Sequence, residues 1–147
     1  RIVDGIETTL ELYHNYIKKG IEVIRNYQDL PEIEGYPDEL LQVWTNLIHN
    51  GVQAMEGRGT LTISTDTNSD RVTVVVQDSG AGIEPAVQDR IFDPFFTTKS
   101  QGQGSGLGLS IAKEIVEKHR GQITLSSQPG QTEFTVVLPL KLSAVSS

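Results

Sequence analysis

Apolar positions in the first twenty residues recur at helical spacing. Ile6, Leu10, Tyr13 and Ile17 lie four, three and four residues apart and share one face of a first helix. Asp4 and Glu7 have the spacing of a capping box for that helix, and Gly20 ends it. Ile21, Val23 and Tyr27 then fall on one side of a strand, and Pro and Gly between residues 30 and 37 mark a loop. Pro37 suits the first helical position and opens a second helix predicted to run to about Met55. Leu40, Val43, Leu47 and Ala54 are placed toward the core, and Gly57 and Gly59 stop the helix.

The period then changes from near four to two. Leu61, Ile63 and Thr65 alternate with polar residues, a turn covers residues 68–70, and Val72, Val74 and Val76 alternate again, which predicts a hairpin ending at Asp78. From Gly80 to Gly106 no period is sustained, a length that suits a functional lid better than a plain connection. A third helix is expected from Leu107 to about His119, with Ile111, Ala112, Ile115 and Val116 inward and Glu114–Lys118 as an outward pair one turn apart. Ile123 and Leu125, a Gln128-Pro129-Gly130 turn, then Phe134, Val136 and Leu138 make a final hairpin. Helices and strands in this order specify an α+β fold. It is a two-layer α/β sandwich, with a mixed, mostly antiparallel sheet packed against three main helices. We assign residues 1–142 to one domain and 143–147 to a frayed tail.

Composition narrows the function. A chain of 147 residues fits one domain with a core of its own. It contains no cysteine, which excludes disulfides, thiolate catalysis and zinc-thiolate sites and favours a cytoplasmic setting for the domain. The net charge of -7 argues against binding a nucleic-acid backbone, although a mononucleotide needs only a local patch. No apolar run approaches membrane-spanning length, so direct membrane contact is not expected. A chain opening on Arg1 reads as a piece of a larger protein, which is membrane-anchored or not beyond the residues seen.

Four runs carry candidate chemistry. Asp78-Ser79-Gly80-Ala81-Gly82-Ile83 puts a carboxylate at a strand end followed by permissive backbone, which either makes an ordinary turn or grips a planar heterocycle. Asn46, Asn50 and Gln53 share a face of the second helix. They are its solvated side, or they place amide oxygens for Mg²⁺, which needs only one or two protein ligands beside phosphates. Gly102, Gly104, Gly106 and Gly108 alternate into the start of the third helix, where converging N–H groups and the helix dipole favour phosphate over a simple linker. Ile91-Phe92-Asp93-Pro94-Phe95-Phe96, followed by Thr97, Thr98 and Lys99, is either core or the anchor of a lid on which Lys99 reaches phosphate. His14, His49 and His119 have structural contexts, His119 at a helix C-terminus that favours a cation.

Together and in this order, the runs resemble the catalytic and ATP-binding domain of sensor histidine kinases, in the superfamily shared with Hsp90, type II topoisomerases and MutL. Leu41–Ala54 is similar to the N box, Asp78–Ile83 to the first glycine box, Ile91–Lys99 (IFDPFFTTK) to the F box and Gly104–Leu109 to the second glycine box. The resemblance covers essentially the whole chain and implies the Bergerat fold, with ATP and Mg²⁺ as cofactors. By it Asn50 coordinates Mg²⁺, Asp78 bonds the adenine amino group, and Gly80, Gly82 and Ile83 are further ATP-binding positions. Gln53, Phe92, Phe95 and Thr98 line the nucleotide, and Gly104, Ser105, Gly106, Leu107 and Gly108 hold phosphates. Asn46 and Lys99 are the candidate catalytic residues. Departures are Ser79 for the usual Asn, Gly51 for a frequent Ala, and Gln53 and Thr97 where members often carry a cation.

The implied function is transfer of the γ-phosphate of Mg-ATP to a histidine on a separate helical dimerisation domain, with a response regulator as the further partner. None of the three histidines has the acceptor's His-Glu/Asp…Pro context. Alternatives are a serine/threonine kinase using the same pocket, a nucleotide-sensing pseudokinase, or a GyrB- or Hsp90-like ATPase. Asn46, standing where the Hsp90 branch has a water-activating Glu, speaks against the last.

Overall fold

In a computed structural model, residues 2–68, 70–80, 82–83, 85–88, 90–93 and 108–141 are described. The elements are α1 (Ile2–Leu12), α2 (His14–Ile17), β1 (Ile21–Asn26), α3 (Pro37–Met55), β2 (Gly59–Thr67), β3 (Arg71–Asp78), α4 (Pro85–Gln88), α5 (Gly108–Lys118), β4 (Gln122–Gln128) and β5 (Gln131–Pro139). The five strands form one sheet in the order β1-β2-β3-β5-β4. Only β1 and β2 run parallel, because α3 crosses between them, and the other pairs are antiparallel. Helices α1, α3 and α5 form the second layer, with α3 in the middle touching both of its neighbours. The expected two-layer α+β sandwich is therefore the fold observed.

The alternation of the strands explains which face the helices cover. Leu61 and Ile63 of β2, Val72, Val74 and Val76 of β3, Phe134, Val136 and Leu138 of β5, and Ile123 of β4 are all buried. Val43, Trp44, Leu47 and Ile48 of α3, with Ile6 of α1 and Ala112 and Val116 of α5, close over them. Burying each such side chain contributes about 1.5–3 kcal/mol, the main force holding the layers together.

Helix α3 starts with Pro37 at its first position and ends at Glu56, whose φ of 51° is left-handed. Ala54 is exposed, contrary to its expected inward position, and Val52 and Met55 take the buried face of the last turn. The first helix is not continuous to Ile17. It breaks at Tyr13, whose φ and ψ of -98° and 11° leave helical geometry, while its hydroxyl bonds His49 Nδ1 at 2.8 Å. Tertiary anchoring of Tyr13 on α3 thus overrides the helical period. Asp4 and Glu7 do not cap α1, because the helix already runs from Ile2. Glu7 instead holds β1 through Arg25 Nε at 2.7 Å and the Tyr27 hydroxyl at 2.6 Å.

On α5 the expected Glu114–Lys118 pair is replaced. Lys118 Nζ reaches Glu39 Oε2 on α3 at 2.8 Å and lies 4.8 Å from the centroid of the Tyr36 ring. The pair within the helix is Lys113–Glu117 at 3.6 Å. His119 is not an exposed cation at the helix end but is 1% exposed. Tyr36 N–H donates to its Nε2 at 3.0 Å, so Nδ1 carries the proton and donates to the Ile115 carbonyl at 2.8 Å. Both bonds require the neutral ring. Gly35 permits this seat, since a Cβ there would stand 2.9 Å from His119 Cδ2.

Candidate nucleotide site

One end of the sheet departs from the apolar alternation. Pairing places Leu61, Asp78, Thr132 and Ser127 in a single row across β2, β3, β5 and β4. The next row inward is Ile63, Val76, Phe134 and Leu125. Directly paired residues in antiparallel strands share a face. Asp78, Thr132 and Ser127 therefore stand on the helix-covered face, where the preceding rows are apolar.

Asp78 is 4% exposed. Gly80 N–H donates to its Oδ1 at 2.9 Å, and Oδ2 has no donor among the described residues. Burial pushes the carboxyl up from its ordinary 3.8 to about 6, against the opposing pull of the Gly80 bond. Above that pH the group is an acceptor in a nearly dry setting, where a hydrogen bond to it counts for more than in water. Helix α3 closes the other side. A Cβ on Gly51 would lie 3.5 Å from Asp78 Oδ2, and one on Gly80 would lie 2.7 Å from the Ala54 carbonyl. The close approach at Gly80 admits no side chain.

The amide face of α3 leads away from this carboxylate. Asn46, Asn50 and Gln53 are each half-buried, and Asn50 and Gln53 both have interactions with neighbouring groups. Asn46 Nδ2 donates to the Gly108 carbonyl at 2.9 Å, tying α3 to the first residue of α5. The helix rise puts Asn46 and Ala54 about 12 Å apart along the axis, with Asn50 midway. A buried carboxylate and a helix N-terminus are thus held at opposite ends of one rigid edge. The first N–H groups of α5, from Gly108 on, have no intrahelical partners among the described residues, a setting that favours an anion.

Other sequence candidates fall between these ends. Gly82 has a φ of +89°, and a side chain there would collide with the Gln128 carbonyl. Ile83 is half-buried against the core, and its N–H donates to Ser127 Oγ at 2.7 Å. Phe92 packs edge-on to Phe134 with centroids 6.1 Å apart, so it joins the core layer beneath the site. Phe95, Thr98, Lys99, Gly104, Ser105, Gly106 and Leu107 lie outside the described residues. Among the described residues no group of three or more His, Asp or Glu is arranged to hold a metal, and no helix is long and apolar enough to cross a membrane.

Sequence reading missed four residues that shape this end. Thr132 is 3% exposed opposite Asp78, and Ser127 bonds Ile83. Ser79 Oγ accepts from Thr60 N–H at 2.9 Å, and Gln88 Nε2 donates to the Ile83 carbonyl at 2.7 Å. A signal existed for two of them. Ser127 and Thr132 occupy the inward phase set by Ile123 and Leu125 and by Phe134 and Val136, where an apolar residue belongs.

Comparisons with known proteins identify the family and the fold. The sequence profile of the "Histidine kinase-, DNA gyrase B-, and HSP90-like ATPase" family matches residues 35–142. The sensory histidine kinase/phosphatase NtrB of Proteus hauseri is 35% identical over 92% of this chain, which covers 42% of that protein. The catalytic domain of the histidine kinase ThkA superposes with a TM-score of 0.85 at 30% identity, over 95% of this chain and 92% of that one. Full-length ShkA, solved in complex with AMPPNP, superposes with a TM-score of 0.83 at 27% identity, over 95% of this chain and 30% of that one. A longer ThkA chain, 26% identical over 96% of this chain and 41% of that one, superposes with a TM-score of 0.82 and is solved with the response regulator protein TrrA. This chain thus spans less than half the length of the curated NtrB it matches. Profile, relatives and fold together place it in the family of histidine kinase-, DNA gyrase B- and HSP90-like ATPases, as a catalytic domain of the sensor histidine kinase type.

Proposed function

We propose that the domain binds Mg-ATP along the α3 edge and delivers its γ-phosphoryl group to a histidine of a helical dimerisation domain. The observation that supports this best is the half-used carboxylate of Asp78. One oxygen is fixed by Gly80, and the other borders the α3 surface, suited to accept from the amino group of adenine. The base then lies between Asp78 and the Gly80–Ile83 loop, and the phosphates extend toward the N-terminus of α5. Asn50 stands midway and supplies the amide oxygen that would hold Mg²⁺, whose other ligands would be phosphate and water. The ion would neutralise charge on the transferring phosphoryl group. This donor set fits magnesium better than zinc, given an oxygen amide and no cysteine.

Transfer breaks the bond between the γ-phosphorus and the β–γ bridging oxygen, forms a bond from phosphorus to an imidazole nitrogen, and releases ADP. Such a reaction needs alignment and charge neutralisation more than covalent help. In this reading Asp78 orients the base, Asn50 the metal, and Gly104–Gly108 the phosphates. Thr98 and Lys99, which lie outside the described residues, are the further candidates for contact with the nucleotide. Asn46 holds the helix that meets the phosphates, through its bond to Gly108. It brings no carboxylate to activate water, which disfavours the clamp-ATPase alternative. A response regulator would then take the phosphoryl group from the histidine.

Calorimetry with ADP and Mg²⁺ tests the binding step, and a mixture with an acceptor-histidine domain and labelled ATP tests the transfer. Binding of ADP with phosphohistidine formed on the partner is expected. Steady ATP hydrolysis without a phosphorylated partner would overturn the kinase reading.

A further inference from the structure

The loop from Asp78 to Ile83 is fixed at both ends, but by different parts of the fold. Its start is held within itself, by Gly80 N–H on Asp78 Oδ1. Its end is held by the β4–β5 hairpin, which comes from the far side of the sheet order. Ser127 Oγ accepts the Ile83 N–H at 2.7 Å and lies 2.9 Å from Thr132 Oγ1 and 3.3 Å from the Gln131 carbonyl. Gln88 on α4 completes the grip. Its Nε2 donates to the Ile83 carbonyl at 2.7 Å and to the Ser127 carbonyl at 3.4 Å. Gly82, between these anchors, rests against the Gln128 carbonyl so closely that no Cβ fits.

We infer that Ser127 is a positioning residue for base recognition, locking the Asp78–Ile83 loop onto the β4–β5 hairpin so that base selectivity depends on that hairpin. The inference rests on the nucleotide reading proposed above. Ser127 accepts from Ile83 and exchanges its remaining bond with Thr132 or Gln131, so its hydroxyl is committed to protein and acts through Ile83. Bonding at both the N–H and the carbonyl of Ile83 fixes the plane of the wall that faces a base held by Asp78. Removing one such bond costs about 0.5–1.5 kcal/mol of ordering, or about two- to tenfold in affinity. A hairpin that fixes this wall also narrows which ring edges Asp78 can meet, because a loose loop lets a ring shift to other bonding patterns.

The test compares ADP and inosine diphosphate, which carries a carbonyl where adenine has its amino group, on the wild-type chain, Ser127→Ala, Ser127→Thr and Ser126→Ala. Ser126 is exposed and points to the other face of β4, so its variant reports general damage to the hairpin. In Ser127→Ala, ADP affinity should fall about two- to tenfold and the preference for ADP over inosine diphosphate should narrow by a similar factor. Ser127→Thr, which keeps the hydroxyl, should restore the preference, and Ser126→Ala should retain it. Amide exchange at Ile83 should speed up in Ser127→Ala while the β3 amides stay protected. An unchanged preference in a folded Ser127→Ala protein overturns the inference, even if its melting temperature falls. If Ser127→Ala does not fold, Gln88→Ala decides, with narrowed preference supporting the inference and unchanged preference overturning it. Failure of the wild-type chain to bind either nucleotide would instead overturn the nucleotide reading itself.

Discussion

Two titratable side chains are buried at different ends of the helix layer, and they differ in how completely they are bonded. His119 is 1% exposed, with both ring nitrogens engaged by backbone groups of Tyr36 and Ile115. Asp78 is 4% exposed, with one oxygen on Gly80 and no donor to the other among the described residues. A buried polar group that is fully bonded stabilises the fold, whereas one left partly bonded is kept at a cost and gains by meeting a ligand. Burial therefore does not separate structural from functional residues here. On the proposed reading, the unfinished hydrogen bonding of Asp78 does.

The largest effect should come from removing the finished group. His119→Ala deletes both side-chain bonds, leaves the Tyr36 N–H unpaired while the Ile115 carbonyl keeps the backbone N–H of residue 119, and opens a cavity between α5 and the start of α3. We expect a loss of about 2–4 kcal/mol in urea unfolding, with ADP affinity per folded molecule unchanged. Reduced affinity in the folded fraction would break the division, by making His119 part of the site.

Removing the unfinished group should do the reverse. Asp78→Asn keeps an oxygen for Gly80 N–H but offers the adenine amino group an amide that donates. ADP affinity should fall about 10- to 100-fold, measured by calorimetry. The same variant should unfold at higher denaturant at pH 7.5, because it no longer buries a charge. The gain is about 3 kcal/mol at most, from a carboxyl held at about 6 against an ordinary 3.8. A destabilised Asp78→Asn protein would show that the carboxylate is a structural group after all.

The sign of the pH dependence follows from the same contrast. A carboxyl with a raised value in the folded state binds its proton more tightly there than in the unfolded chain. Its destabilising contribution is absent below the unfolded value near 3.8, grows between 3.8 and about 6, and is complete above that. Nucleotide binding runs oppositely, since only the carboxylate accepts two donors at once. ADP affinity of the wild-type protein should decline as pH falls through about 6, relative to Asp78→Asn, which shares the titration of the phosphates. Parallel profiles for the two proteins would remove Asp78 from base recognition.

Much of the fold was readable because it rests on period. The three-four spacing of α3, its Pro37 start and the alternation of β2, β3 and β5 all appear as expected, since each element buries one face against the same core. Ala54 failed by helical phase, Val52 and Met55 taking the buried face, but the other failures share one cause, contact between elements distant in sequence. Tyr13 leaves helical geometry for His49, Glu7 turns to Arg25, Lys118 prefers Glu39 to Glu114, and His119 is drawn inside by Tyr36. At the site, Asp78, Gly80 and Asn50 stood out as short motifs. Thr132 and Ser127 did not, because their meaning depends on strand register, which puts β5 and β4 beside Asp78 although they follow it by about fifty residues.

The smallest prediction concerns the space around the unfinished carboxylate. Gly51 lies in the interior of α3, where glycine costs about 1 kcal/mol relative to alanine in helix stability. A Cβ there would meet Leu61 Cδ1 at 3.2 Å, Asp78 Cβ at 3.4 Å and Asp78 Oδ2 at 3.5 Å. Only the contact with Leu61 is tight, and it involves the end of a flexible side chain that can yield by a few tenths of an ångström. Gly51→Ala should therefore stabilise the domain by at most about 1 kcal/mol and change ADP affinity less than about twofold. A methyl group beside Oδ2 leaves that oxygen accessible if the ligand approaches from the α5 side, along the Asn46–Asn50 edge. A large loss of affinity in a stable Gly51→Ala protein would mean that the base packs between Gly51 and Asp78 against α3, instead of reaching Oδ2 along the Asn46–Asn50 edge.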